Sequence, residues 1–204
     1  MTLLNNPFVT SGYIAPEYFC DRERETEELL RWLVNENNVA IISTRRMGKT
    51  GLIQHCFHLK EIKENYYTFL IDIYATKTLR EFVFQLGKVI LATLKPKGQK
   101  AWELFVNSLV SLKAGFSLDM SGMPQWNLEL GDIKSPETTL DEIFHYLAVS
   151  DKPCIIAIDE FQQVAQYPEK NTEALLRTYV QHCDKAHFCL LYTSPSPRDM
   201  RRSR

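Results

Sequence analysis

The 204-residue sequence contains no apolar run long enough to span a bilayer, and no charged-then-apolar leader of the secretory type. Cytoplasmic placement is therefore the expectation, with no membrane partner. Its five cysteines, Cys20, Cys56, Cys154, Cys183 and Cys189, are odd in number, dispersed and never spaced C-x-x-C. That argues against a disulfide framework and against a zinc site. Cys56 and Cys154 fall in apolar runs and are expected to behave as small buried hydrophobes. Charge of one sign is missing too: the formal net charge is −1. This segment then has no electrostatic footprint for nucleic acid. His55 and His58 lie three apart with no evident third ligand, so they read as surface residues rather than metal ligands.

What is present is enough chain for one sizeable core and ordinary globular apolar and charged fractions. Within it, Val39-Ala40-Ile41-Ile42 reads as a buried strand and breaks into a polar loop ending Gly48-Lys49-Thr50. A helix follows over 49–60, with Leu52, Ile53, Cys56, Phe57 and Leu59 as its apolar positions. Strand, loop and helix around G-K-T form the context in which a phosphate-binding loop works. Backbone N–H groups curl around an anion, and the helix N-terminus adds partial positive charge. The loop residues Ser43, Thr44, Arg45, Arg46, Met47, Gly48, Lys49, Thr50 and Gly51 are the candidate nucleotide contacts. Lys49 would sit between β- and γ-phosphates, and the Thr50 hydroxyl would ligate Mg²⁺. Arg45 and Arg46 occupy variable loop positions, where phosphate, a neighbouring chain or solvent are all open to them. The pattern G-x-x-x-x-G-K-S/T is broken at its first position, where Ser43 stands for Gly.

A second signal is Cys154-Ile155-Ile156-Ala157-Ile158-Asp159-Glu160, an apolar run ending in two carboxylates. Buried parallel strands have this composition, and ligands of open α/β sheets bind at the carboxyl ends of strands. Asp159 is placed to support Mg²⁺, and Glu160 to polarise an attacking water as the candidate base. The bland alternative is an Asp-Glu pair capping the next helix.

The chain resembles the N-terminal ATPase core of the AAA+/STAND superfamily, and more narrowly the prokaryotic "archaeal-type" ATP-binding proteins. The likeness rests on Phe19-Cys20-Asp21-Arg22-Glu23-Arg24-Glu25 (similar to an F-x-G-R-E-x-E box), Thr44 to Thr50, and Ile158-Asp159-Glu160-Phe161-Gln162. It covers most of residues 7 to about 188. Asp21 replaces the glycine of the box. The resemblance implies a three-layer α/β sandwich with a mainly parallel sheet. In it the core strands, numbered along the chain, lie in the spatial order second, third, fourth, first. It also implies that the segment before the first helix packs beside the adenine. ATP is expected over GTP, because no N-K-x-D stretch occurs and the resemblance points the same way.

The remaining elements follow from periodicity. Helices are predicted over 22–34, 78–94, 102–112, from Ser135-Pro136 onward, and over 171–183; strands over 66–74 and 186–191. Two alternating runs, Gly115 to Met120 and Trp126 to Leu130, flank Ser121-Gly122-Met123-Pro124 and predict a β-hairpin, an excursion over about 113–131. Residues 1–188 are thus read as the ATPase core. Residues 189–204 are read as a non-native tail, since Cys189 to Asp199 resembles a translated sequencing adapter. A truncated reading frame is the corresponding expectation, with the strand at 39–42 left as a sheet edge. The function expected is Mg·ATP binding with slow, regulated hydrolysis that drives a conformational switch. Two alternatives stand beside it. One is a nucleotide-gated scaffold without turnover. The other is the ATPase part of a DNA-associated or defence protein whose effector, protein partner or self-association surface lies in a missing C-terminal part.

Overall fold

Hydrophobic periodicity sorts the chain into layers in the computed structural model, which describes residues 12–118, 124–126 and 129–194. In chain order the regular elements begin with α1 (Glu23–Val34), β1 (Val39–Thr44), α2 (Lys49–His58), α3 (Lys60–Asn65) and β2 (Tyr67–Asp72). They continue with α4 (Leu79–Leu94), α5 (Gln99–Ser108), β3 (Phe116–Leu118), β4 (Pro124–Trp126) and α6 (Pro136–Val149). Last come β5 (Cys154–Asp159), α7 (Thr172–His182) and β6 (Ala186–Ser194). Four strands build one parallel sheet in the order β1-β6-β5-β2. This is the order that the resemblance implies.

Side chains alternate across each strand, so the two faces of the sheet collect different cores. On one face Ile155, Ala157, Cys189 and Leu191 meet Leu29 and Leu33 of α1, Leu52, Ile53, Cys56 and Phe57 of α2, and Ile62 of α3. On the other, Phe69, Ile71, Ile156, Ile158 and Phe188 meet the apolar stripes of α4, α5, α6 and α7. The result is a three-layer α/β sandwich. β5 is buried along its apolar length because it lies inside the sheet with helices on both faces. Cys56, Cys154 and Cys189 are fully buried, and burial pushes each thiol up to about 12.

Several boundaries differ from those read in the sequence. β1 is not a fully buried strand: it pairs only with β6 among the described residues, and Ile42 is 68% exposed. A central position and a half-covered edge share the same β-branched signature, so composition does not separate them. The helix predicted over 49–60 breaks at Leu59, whose extended backbone caps α2 and starts α3. Ser135 does precede α6, but its hydroxyl bonds Thr138 Oγ1 (2.8 Å) rather than a backbone N–H. The hairpin forms with Phe116 opposite Trp126, its second strand ending where the sequence reading begins it. Residues 119–123 and 127–128 of that hairpin lie outside the described residues, as do 1–11 and 195–204. β6 continues three residues beyond the predicted end, through Tyr192, Thr193 and Ser194.

His187 of β6 is 4% exposed, and its Nε2 has no hydrogen-bond partner. Burial lowers the imidazole pKa below its ordinary value of 6.5, opposed in part by Glu36. The unfolded chain therefore takes up this proton more readily than the folded one. The corresponding stability is complete above pH 6.5 and is lost as pH falls through the folded value. A tenfold difference in proton affinity corresponds to about 1.4 kcal/mol. Urea titrations at pH 7.5 and 5.5 should show a loss of stability that His187→Leu reduces. An equal loss in both proteins would remove His187 as its source.

Candidate functional site

The site forms where β1, β6 and β5 end side by side, because parallel strands bring their carboxyl ends to one edge. After Thr44 the chain leaves the sheet through Arg45, Arg46 and Met47, and Gly48 begins α2. Gly48 has φ +70°, a left-handed conformation that glycine adopts without strain. Arg46 also lies there, at φ +65°, where a side chain costs about 1–2 kcal/mol. Left-handed residues in a turn are the kind of backbone from which anion-binding nests of amides are built. Beyond it, the first N–H groups of α2 have no intrahelical acceptor. Ser43, by contrast, lies in β1 with no positive φ. The first glycine of the pattern is therefore dispensable in this backbone. The structure explains Asp21 differently: it has φ +62°, the region that a glycine would fill freely and that Asp tolerates better than most residues.

Lys49 is 8% exposed, and its Nζ donates to Ser43 O (3.3 Å), Thr44 O (3.4 Å) and Thr193 Oγ1 (3.1 Å). Among the described residues no carboxylate lies within ion-pair distance of it. A buried ammonium held only by neutral oxygens is an unpaired cation facing a cleft, the arrangement that an anionic ligand completes. Thr50 Oγ1 donates to Asp159 Oδ2 at 2.6 Å, so the hydroxyl of the loop and the first carboxylate of β5 already converge. Both are hard oxygen donors of the kind that Mg²⁺ takes and would be the residues to hold it.

Glu160 has left-handed backbone (φ +58°), and its N–H is held by Asp159 Oδ1 at 2.9 Å. It opens the short 3-10 segment Phe161–Gln166 without capping it by side chain. Its carboxylate instead accepts from Thr193 Oγ1 (3.0 Å) and from Gln162 Nε2. Gln162 Oε1 in turn accepts the backbone N–H of Thr193 at 3.2 Å. A closed polar ring thus joins Thr193, Glu160 and Gln162, and Lys49 attaches to it through Thr193. Thr193 lines the cleft although the sequence reading assigns it no role, having placed residues 189–204 in a non-native tail. Only the pairing of β6 between β1 and β5 delivers it, opposite Ser43 in register.

These groups line a cleft of about 610 Å³ bounded by Gly12, Arg45 to Gly51, Gln54, Asp159, Glu160 and Thr193. Ser43 and Thr44 contribute through their carbonyls, behind the lining. Arg45 lies 5.6 Å from the centroid of the Tyr74 ring, and Arg46 is exposed at the cleft. His55 is half-buried rather than a surface residue: Phe19 stacks on it at 4.2 Å, and Tyr13 OH meets its Nδ1 at 3.3 Å. His58 is exposed and bonds Gln54 O.

The chain matches the model of a family described as an ATPase domain predominantly from Archaea, over residues 19–199. No curated protein sequence matches it. Among solved structures, the Walker-type ATPase PABY2304 of Pyrococcus abyssi is similar, at 21% identity and TM-score 0.57. That match covers 92% of this chain and 49% of the other. Cdc6p of Pyrobaculum aerophilum (12% identity, TM-score 0.52) and the Aeropyrum pernix ORC1 protein, solved in complex with DNA (12%, TM-score 0.51), each cover 85% of this chain. In both, 39% of the other chain is covered. This chain spans half or less of these structures, and the likeness is one of fold. Among the described residues no helix is long and apolar enough to cross a membrane.

Proposed function

The chain belongs to the ATPase family found predominantly in Archaea, and from that premise we propose that its cleft binds Mg·ATP and hydrolyses it slowly. The hydrolysis is regulated and drives a conformational switch. The observation carrying this reading is the buried ammonium of Lys49, with no carboxylate partner among the described residues, in one cleft with Asp159 and Glu160. In the proposed complex Lys49 exchanges its carbonyl contacts for phosphate oxygens. Thr50 and Asp159 hold Mg²⁺, which supplies neutralisation of charge on the transferring phosphoryl group. Glu160 orients water and accepts its proton. Thr193, bonded to both Lys49 and Glu160, links the phosphate side of the site to the base. ATP is favoured over GTP because no guanine-reading N-K-x-D stretch is present.

Ligand binding to the folded state alone stabilises it by about 2.7 kcal/mol at 100 times Kd. For a chain of this size Mg·ATP should then raise the Tm by roughly 5–10 °C, and Mg·GTP by much less. No shift at millimolar Mg·ATP would refute the nucleotide site. A second reading, binding without turnover, has one observation in its favour: both carboxylate oxygens of Glu160 are engaged by Gln162 and Thr193.

A further inference from the structure

The box Phe19 to Glu25 leaves one residue whose chemistry the proposed function does not use. Arg22 stands at the N-cap of α1, where its carbonyl accepts the N–H of Thr26 at 2.9 Å. Its guanidinium Nη2 donates to Met47 O at 2.6 Å, across 25 residues of sequence. Met47 is the last residue of the loop before left-handed Gly48. The same guanidinium lies 3.9–4.0 Å from the place a Gly48 Cβ would occupy. Arg22 therefore reaches the turn of the phosphate loop from outside. It lines a separate pocket of about 220 Å³ with Phe19, Thr26, His55 and Leu59, while Gly48 and Lys49 line the phosphate cleft.

We propose that Arg22 is a positioning residue that sets the phosphate-binding face of the loop by holding the Met47–Gly48 peptide in one orientation. In a trans peptide the C=O and the next N–H point in opposite directions. Drawing Met47 O toward Arg22 thus turns the Gly48 N–H the other way. Released, that peptide is free to rotate and present a carbonyl oxygen, which repels phosphate, in place of a donor. Glycine lacks the Cβ that restricts such rotation elsewhere, so the constraint must come from outside the loop. The support behind Arg22 is stiff. Leu29 and Leu33 pack α1 against α2, and the Phe19 ring lies 3.9 Å from the place of a Gly51 Cβ and stacks on His55. One strap thus braces the loop at Gly48 and the first turn of α2 at Gly51.

This inference rests on the phosphate-binding reading, and the test separates the two. A fluorescent ATP analogue is titrated into the full chain and displaced with inorganic triphosphate, for wild type, Arg22→Ala, Arg22→Gln, Arg22→Lys and Lys49→Ala. Arg22→Ala should weaken the analogue and inorganic triphosphate by the same factor, about tenfold, the scale of one charge-assisted hydrogen bond. Arg22→Lys, which keeps a charged donor, should recover part of the loss. Arg22→Gln serves if the alanine variant does not fold. Triphosphate affinity within twofold of wild type in the folded Arg22 variants, with Lys49→Ala inactive in binding, would overturn the role of Arg22 alone. A loss confined to the nucleotide would do the same, because it places Arg22 at the nucleoside. Unchanged binding in Lys49→Ala would instead overturn the phosphate site itself.

Discussion

Lys49→Ala is expected to raise the Kd for a fluorescent ATP analogue by about 100-fold or more, equivalent to at least about 2.7 kcal/mol. The reason lies in what Lys49 does without ligand. Among the described residues its buried ammonium touches only two carbonyls and one hydroxyl, so no opposite charge offsets its desolvation. A phosphate supplies the missing anion, and hydrogen bonds between charged groups in a partly dry site are among the strong ones. Removing the cation also removes its burial cost. Thermal stability without nucleotide should then be unchanged or slightly higher. That combination, intact fold and lost binding, distinguishes a ligand-directed lysine from a structural one. Affinity within a few-fold of wild type would end the phosphate-loop assignment.

Glu160→Gln should leave binding of Mg·ATP within a few-fold of wild type while lowering kcat by roughly 10²–10³, the usual worth of a positioned base. The substitution preserves size but leaves a single acceptor oxygen. The new side chain can no longer accept from both Gln162 Nε2 and Thr193 Oγ1 as the carboxylate does. Release of inorganic phosphate under single-turnover conditions measures the effect. If the wild-type chain binds Mg·ATP and releases no phosphate, the scaffold reading replaces the enzymatic one.

The motif residues were legible because each is demanded locally. Gly48 answers a positive φ, Lys49 and Thr50 start a helix whose N–H groups face an anion, and Asp159 ends an apolar strand. Helices α4 and α6 were equally readable, since a strong 3.6-residue stripe survives any arrangement of neighbours. The substitution at Ser43 reads in sequence as a defect and proves compatible with β1, because φ at that position is a property of the backbone and not of the motif. The break at Leu59 and the stacking of His55 on Phe19 depend on what packs alongside, which spacing along a chain does not encode.

By itself the sequence determined that a strand-loop-helix unit would offer amides and one lysine to an anion, and that a second strand would end in two carboxylates. The place of β6 between them was expected from the resemblance and not from the spacing of residues, and tertiary structure alone decided that it carries Thr193 into contact with both Lys49 and Glu160. It alone also brought Arg22 onto Met47. The physical reason is one of range. Helix and strand propensities and turn geometry act over a few residues, whereas strand order and cross-chain hydrogen bonds are settled only when both faces of the sheet are buried together.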